Sequence, residues 1–484
     1  MSEIHDLHDI INRGRIQAIG NEILTPELAA KIGATFGTYM GSQGIAVIAR
    51  EYSNNNRMLK RAFIGGLMSA GVDILNLHSA PVPVLQFSIR RFGASAGVYF
   101  SSVSTGKMQN QIRFYDASGI EFNITKLESM NEYFKKSNIN RVKPLNVGAI
   151  TDIPHTHDIY RKAIPQMFEI KLFKQRDMHV VCDCSYGPGS IVLPGILTSM
   201  KVDVIAINAY ENDQKSVEMY PNLQSIKNVV NIVKASQVDL GVVLDTDGSR
   251  ALFIDEMGRI ITFEELMMFF MKYDPIISNA VDQPIITTET ASKIIAQFAA
   301  EGERHTLYKT RNFPGEISRE IRERRGIFGG ADTMKFYFPN YGPFSDGVYT
   351  TLKILEILAR ENIPLSALVR SFPRTIHSYK SVGTTFEKLT SFKESLRKLI
   401  QTHRENSSRL ESKNLPAENL KVADLEIDYQ DIMVGMKLII RDLGWVALCT
   451  SMHTNAVELE SEGLNAKKSE ELIQIAEEFI QPII

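Results

Sequence analysis

Three times along the chain, apolar residues at helical spacing give way to a run rich in β-branched side chains. The segments are Arg57–Leu77 (RMLKRAFIGGLMSAGVDILNL), Ser190–Ile207 (SIVLPGILTSMKVDVIAI) and Ala291–Tyr308 (ASKIIAQFAAEGERHTLY). A helical period followed by a strand is the sequence form of a βαβ unit and predicts mainly parallel sheets. Three such units predict three related α/β domains. Turn-rich or polar stretches near residues 150, 257 and 370 interrupt the periodicity and place the domains at 1–150, 151–257 and 258–370. Beyond residue 375 the pattern changes. An amphipathic helix is predicted over Phe386–Ser408, followed by the polar stretch ENSSRLESKNLPAEN and three short strands around VADLEIDY, MKLIIRDL and GWVALCTS. A last helix over Ser469–Ile480 completes a smaller α+β domain, 371–484.

Length and composition fit that reading. At 484 residues the chain exceeds one compact core, and 44% apolar with 23% charged residues is ordinary for a globular protein. Lys plus Arg number 54 against 56 for Asp plus Glu, so no concentrated positive surface for nucleic acid is expected. The nearest basic cluster, Arg322, Arg324 and Arg325 around Glu323, reads as a solvated helix face ended by Gly326. Cys182 and Cys184 lie inside the apolar run His179–Cys184 and read as buried thiols of a reducing compartment. Neither a secretory signal nor a bilayer-length apolar run is visible. A cytoplasmic protein without membrane association is the expectation.

Several loops have residues that could do chemistry. Asp245-Thr246-Asp247-Gly248-Ser249-Arg250 sits between the apolar strands Leu240–Leu244 and Ala251–Ile254. Carboxylates at alternate positions on a tight loop can converge on a hard cation such as Mg²⁺. A polar hairpin loop with Gly248 at its turn explains the same residues. Gly329-Gly330-Ala331-Asp332 follows the strand-like Gly326–Phe328 and reads as a loop, and Asp346 suits the N-cap of a helix opened by Gly347. Ser185–Ser190 is a strand-to-helix turn without the full dinucleotide fingerprint. His155 and His157 have no third ligand at a suggestive spacing. His453, in the polar loop Thr450–Thr454, is a candidate for touching an anion.

In this order the pieces resemble the α-D-phosphohexomutase superfamily, the phosphomannomutases and phosphoglucomutases. Asn21–Ala29 (NEILTPELA) is similar to the family's first helix start. Met58–Asp73 and Pro81–Gln86 (PVPVLQ) continue it, and Leu240–Leu244, Asp346-Gly347 and Gly444-Trp445-Val446 extend it toward the C-terminus. The resemblance implies three α/β domains with mixed sheets around a central cleft, plus a C-terminal α+β domain. It also implies a mechanism in which a domain I phosphoserine donates to a hexose monophosphate. Mg²⁺ on three aspartates neutralises the transferring group, a domain III loop reads sugar hydroxyls, and a domain IV loop grips the non-reacting phosphate.

Each of those loops departs from the family pattern. The phosphoserine stretch T-A-S-H-N-P aligns with 101–106, anchored by Gly97-Val98 and by Asn110-Gln111-Ile112-Arg113-Phe114. Val103 then falls at the nucleophile position, with Ser102 and Ser104 beside it. A valine has no atom that can accept phosphate. The metal loop 245–250 keeps Asp245, Asp247 and Arg250 but has Ser249 as its third member, so Mg²⁺ is expected to bind weakly or not at all. Arg250 is expected to neutralise both aspartates. In the sugar loop 329–335 the hydroxyl-reading glutamate becomes Ala331. The phosphate loop 449–455 has Cys449 for arginine and Met452 for glycine, which disfavours a phosphate nest. The arginine of G-I-R-G is Gln17. In G-R-D-x-R, Arg50 persists while Glu51 and Ser53 replace the others.

These departures point to a phosphohexomutase-like protein without catalysis, acting as a structural or regulatory subunit or as a sugar-phosphate binder in carbohydrate metabolism. A true mutase or a sugar nucleotidyltransferase is the expected partner, in a homo- or hetero-oligomer. A sugar phosphate or nucleotide sugar is the expected small ligand, held through Arg50, Arg113, Arg250, Arg311, Asp332, Lys335, Ser451 and His453. The alternative is an active Mg²⁺-dependent mutase that uses Ser102 or Ser104.

Overall fold

The computed structural model describes residues 4–12, 14–104, 108–210, 212, 223–300, 305–410, 427–432, 435–440, 443–450, 456–463 and 465–484. The chain divides into two units, Met1–Ala291 with Ile295–Phe372, and Ser292–Ile294 with Pro373–Ile484.

The first unit contains three sheets. One is seven-stranded, built from β1 (Ile11–Asn12), β2 (Arg15–Ile19), β3 (Ile45–Arg50), β4 (Asp73–Ser79), β5 (Ala96–Ser104), β6 (Met108–Asp116) and β7 (Ile150–Asp152) in the order β1-β2-β6-β5-β3-β4-β7. The next holds β8 (His179–Asp183), β9 (Asp203–Ile207), β10 (Leu240–Leu244) and β11 (Ala251–Asp255) in the order β11-β10-β8-β9. The third holds β12 (Ile285–Thr288), β13 (Leu307–Thr310), β14 (Phe328–Ala331) and β15 (Lys335–Tyr337) in the order β13-β12-β14-β15.

One plan recurs in all three. A central strand (β3, β8, β12) pairs in parallel with two others, and the second of these turns back through an antiparallel hairpin. The hairpins are β5–β6, β10–β11 and β14–β15. They close between Ser104 and Met108, over 245–250 and over 332–334, at the loops singled out in the sequence. The helix-then-strand rhythm is therefore the trace of a repeated topology that sets each loop at an equivalent place.

In the first sheet, α1 (Pro26–Tyr39) and α2 (Asn54–Ser69) pack on one face. Thr25 caps α1 by accepting from the Leu28 N–H, and Pro26 needs no intrahelical donor there. Gly33 and Gly66 let the two helices meet backbone to backbone. A Cβ at Gly33 would lie 2.2 Å from the Phe63 carbonyl oxygen, and one at Gly66 would lie 1.9 Å from that of Ala30. Phe36, Phe63, Phe100, Phe114 and Phe122 fill the layer beneath, with Phe36 and Phe114 ring centres 4.7 Å apart.

Two expectations in the third sheet are corrected. Gly329 and Gly330 belong to strand β14 rather than to a loop, because both pair with β12 and β15. A Cβ at Gly330 would strike Met267 Sδ at 2.3 Å, so glycine lets the helix Phe263–Tyr273 lie close to the strand. The helix Glu316–Arg324 ends on Arg325 in the left-handed conformation (φ 56°), one residue before Gly326.

The second unit is one antiparallel sheet, β16 (Ile376–Gly383), β17 (Ile427–Ile432), β18 (Gly435–Ile440), β19 (Gly444–Thr450) and β20 (Ala456–Gly463), ordered β16-β20-β19-β18-β17. Helices Phe386–Leu410 and Ala466–Ile480 cover one face through Phe392, Leu396, Leu472 and Phe479. The sequence reading omitted β16, whose polar stretch IHSYKSVG hides the alternation, and β20, where Val457-Glu458-Leu459-Glu460 shows it. Among the described residues, no helix is long and apolar enough to cross a membrane.

Candidate functional site

The hairpin register decides which side chains of the first sheet can share a site. Ser101 pairs with Gln111, Ser102 with Asn110, and Val103 with Gln109, without a break through Ser104 and Met108. Alternate residues of a strand face opposite sides of a sheet. Val98, Phe100, Ile112 and Phe114 point into the core under α1 and α2, and Ser102 and Asn110 continue that row. Ser102 Oγ accepts from Asn56 Nδ2 at 3.0 Å, beside the Ser53 hydroxyl at the N-cap of α2. Tyr99, Ser101, Val103, Gln111 and Arg113 form the other row. That row carries the site. Gln17 sits there too, its amide joined to those of Gln109 and Gln111, so a neutral amide ladder stands where the family resemblance implies an arginine. The Ser104 side chain lies outside the described residues.

The β10–β11 loop arrives opposite this row. Gly248 turns it with φ 73°, and the Ser249 N–H donates to Asp247 Oδ1 at 2.9 Å. The loop is clamped from two sides: the Val82 N–H donates to the Asp247 carbonyl at 2.8 Å, and Gly347 N–H and Ser345 Oγ donate to Gly248 and Ser249 carbonyls. Asp346, at the N-cap of the helix Gly347–Glu361, accepts from Val348 and Tyr349 N–H groups and from Tyr160 and Tyr341 hydroxyls, which fixes this clamp.

Arg250 and Arg113 divide the two aspartates between them. Arg250 Nε donates to Asp245 Oδ2 at 2.7 Å, while Arg113 Nη1 donates to Asp247 Oδ2. Arg250 thus bonds only one of the two aspartates directly; Arg113, reaching over from β6, bonds the second, although the Arg250 charge also acts on it. Arg113 also grips Glu121 with two parallel bonds of 3.1 Å. Glu121 in turn accepts two more from Arg15, at 2.7 and 3.0 Å. The result is an alternating row, Arg15–Glu121–Arg113–Asp247, whose last three members are largely buried.

This row governs the acidities. Burial alone would raise Glu121, but the Arg113 and Arg15 guanidiniums outweigh it and bring the carboxyl down to about 2. Asp247 is likewise held well below its usual range, against burial, by Arg113 and Lys335. Asp245 goes the other way, pushed up to about 6 by burial and the Asp247 charge despite Arg250. Glu51, buried with its carboxylate accepting the Ser102 N–H at 2.8 Å, is pushed up to about 8 by burial, with Asp247 adding to the effect. Near neutrality it is therefore mainly a neutral acid.

Lys335, at the start of β15, completes the site. Burial, then the nearby Arg250, bring its ammonium down to about 8. It makes no ion pair among the described residues. With Arg113, Glu121, Ser249 and Tyr337 it lines a cavity of about 30 Å³, room for one or two water molecules.

Mg²⁺ does not fit this donor set. The ion needs several free oxygen ligands at octahedral positions. Here each of the two remaining aspartates has a carboxylate oxygen already bonded to a guanidinium, the third is the hydroxyl of Ser249, and Val103 offers nothing. Among the described residues, the His, Cys, Asp and Glu side chains whose ligand atoms gather within 4.8 Å are instead Asp177, His179 and Asp203, at the ends of β8 and β9.

The other candidate ligands are dispersed. Arg50 is buried and donates to the Glu51 carbonyl at 2.6 Å. Asp332 accepts from Thr288 Oγ1 at 3.1 Å and Asn312 Nδ2 at 2.8 Å, so it ties its loop to the end of β12 and the segment after β13. Arg311 is exposed next to that loop. Ser451 and His453 lie outside the described residues. Sequence reasoning missed Glu121 and Arg15. The tight turn at Asp116–Ile120, with Gly119 at φ 77°, was the available signal that the chain doubles back beside Arg113.

The chain matches the domain families Phosphoglucomutase/phosphomannomutase, alpha/beta/alpha domain I over residues 12–140, domain II over 158–258 and domain III over 266–376. It belongs to the α-D-phosphohexomutase superfamily. A phosphoglucomutase/phosphomannomutase of Thermococcus kodakarensis is 28% identical over 476 residues, covering 96% of this chain and 97% of the relative. A probable phosphoglucosamine mutase of Pyrococcus abyssi is 27% identical over 385 residues, covering 80% and 83%. Among solved structures, a phosphoglucomutase/phosphomannomutase family protein of Burkholderia thailandensis superposes with a TM-score of 0.76 at 18% identity, over 98% of this chain and 97% of that one. These matches make the protein phosphohexomutase-like in sequence and fold.

Proposed function

We propose that this protein is a phosphohexomutase homologue that performs no phosphoryl transfer and serves carbohydrate metabolism as a structural or regulatory subunit. The observation that carries the reading is the strand register. Val103 lies on the face of the sheet from which Arg113 reaches Asp247, whereas Ser102, the hydroxyl that could replace the lost nucleophile, faces α2 and is held by Asn56. An in-line transfer needs the nucleophile within reach of the phosphoryl group that the charge-neutralising groups surround.

Its partners, on this proposal, are a second copy of the chain, an active mutase or a sugar nucleotidyltransferase. The test has two arms. Incubation with a hexose 1,6-bisphosphate is expected to leave the peptide spanning 101–105 unphosphorylated, and phosphoserine at 102 or 104 would overturn the reading. Affinity purification from the native source is expected to recover a mutase or nucleotidyltransferase.

A second reading, sugar-phosphate binding without chemistry, draws on Lys335, a cation without an ion-pair partner among the described residues at the edge of the site. Thermal-shift measurements with hexose phosphates distinguish the two: a saturable rise that Lys335→Met abolishes supports binding, and a flat response supports the subunit role alone.

A further inference from the structure

We propose that the Arg113 guanidinium is a built-in cation that has taken over the place of the divalent ion, so that the site is permanently closed to metal. The charges in the loop are matched. Two aspartates remain in the loop, and two guanidiniums meet them, Arg250 on Asp245 and Arg113 on Asp247. A dication and a pair of monocations supply the same charge to the same carboxylates. Ser249 removes the third carboxylate, which two guanidiniums would leave uncompensated, and its hydroxyl lies 3.4 Å from Asp245 Oδ2. Val103 removes the position at which a further anion could be attached. The four residues form a consistent set.

Geometry makes the arrangement durable. Arg113 is only 4% exposed in its side chain, and its Nε and Nη2 donate to Glu121, which Arg15 holds from β2. A hydrated ion would have to displace a buried guanidinium with five donors in a rigid fork, leaving that charge unpaired in the interior. The bridge also joins residues 134 positions apart, binding the first sheet to the hairpin of the second. It therefore does mechanically what a shared ion would do, without depending on the ion's concentration.

The inference does not require that turnover be absent, and its test reads metal binding and stability alone. The full-length protein is titrated with Mg²⁺ and Mn²⁺ against NaCl of matched ionic strength, following thermal unfolding and calorimetric heat. The native chain is expected to show no saturable response. Arg113→Met frees Asp247, so this variant is expected to unfold at lower temperature and to regain about 2–4 °C saturably with divalent ion. Saturable stabilisation of the native chain overturns the proposal, as does a folded Arg113→Met variant that ignores both metals. If that variant does not fold, Arg113→Lys and Asp247→Asn are compared singly and together. A double variant much less damaged than the sum supports the bridge, and strictly additive losses overturn it.

Discussion

Ser102 and Val103 are neighbours in β5 that point to opposite faces of one sheet, Ser102 toward Asn56 of α2 and Val103 toward the row that carries Arg113. A hydroxyl restored at Val103 would therefore be on the correct side, yet it would meet an Asp247 already engaged and a Ser249 in place of an aspartate. Val103→Ser is expected to remain unphosphorylated by a hexose bisphosphate, as judged by peptide mass spectrometry. Ser102→Ala is expected to cost about 1 kcal/mol of stability through the lost bonds to Asn56 and Ser53, with no change in phosphorylation. A phosphopeptide from Val103→Ser would show that the loop can still neutralise a transferring phosphate.

Glu121 gives the site an acid limit. Its carboxyl sits at about 2 in the folded chain against an ordinary value of 4.5, so the unfolded chain binds the proton first as pH falls. The stabilisation is complete above about 4.5 and disappears as pH approaches 2. Glu121→Gln removes it and leaves two guanidiniums short of a partner, a loss of about 3–5 kcal/mol near neutrality. Urea midpoints of the two proteins are expected to differ widely at pH 7 and to converge toward pH 2. A constant gap between them would reject the assignment.

How much of the fold and site is legible in the sequence depends on range along the chain. The helix-then-strand segments survive in the sequence because burial imposes a period that local reading detects, and the apolar strand Leu240–Leu244 marks the Asp loop. β16 does not show, since polar residues occupy both of its alternating rows, whereas β20 is legible as the alternation Val457-Glu458-Leu459-Glu460. Val103 is visible as a missing nucleophile. That Ser102 cannot stand in for it is not visible, because this depends on the face of the sheet on which the site lies. Arg113 stands out as an anchor of the alignment, but its partner Asp247 is 134 residues away, and no local rule selects it over Asp245. Charge alone makes Arg250 the natural partner for both aspartates, and only the fold divides the task.

Asp346 tests whether the clamp on the Asp loop is structural. Its carboxylate caps the helix Gly347–Glu361 and accepts the hydroxyls of Tyr160 and, at 2.8 Å, Tyr341. Asp346→Ala removes the cap and orphans two buried hydroxyls, so a loss of about 2–5 kcal/mol is expected. Asp346→Asn keeps a side-chain carbonyl at the N-cap. Burial already raises this carboxyl above its ordinary range, so losing the charge costs less, and the variant is expected to retain most of the stability in denaturant titration. Equal losses in the two variants would place the weight on the second carboxylate oxygen, which accepts both tyrosine hydroxyls, rather than on the cap.

Lys60 supplies the alkaline counterpart. Its ammonium is buried in α2 and donates to Asn76 Oδ1 at 2.5 Å. Burial, and next the neighbouring Arg50, lower it from 10.5 to about 7. Between those values the unfolded chain holds a proton that the folded chain has released, so stability rises with pH across that window and is least below about 7. Lys60→Met has no proton to exchange. Its urea midpoint is therefore expected to change less than that of the native chain between pH 7 and about 10, so that the native protein gains on the variant as pH rises. If the two midpoints moved in parallel over that range, Lys60 would have to stay charged in the folded protein, compensated by the nearby Asp152 carboxylate.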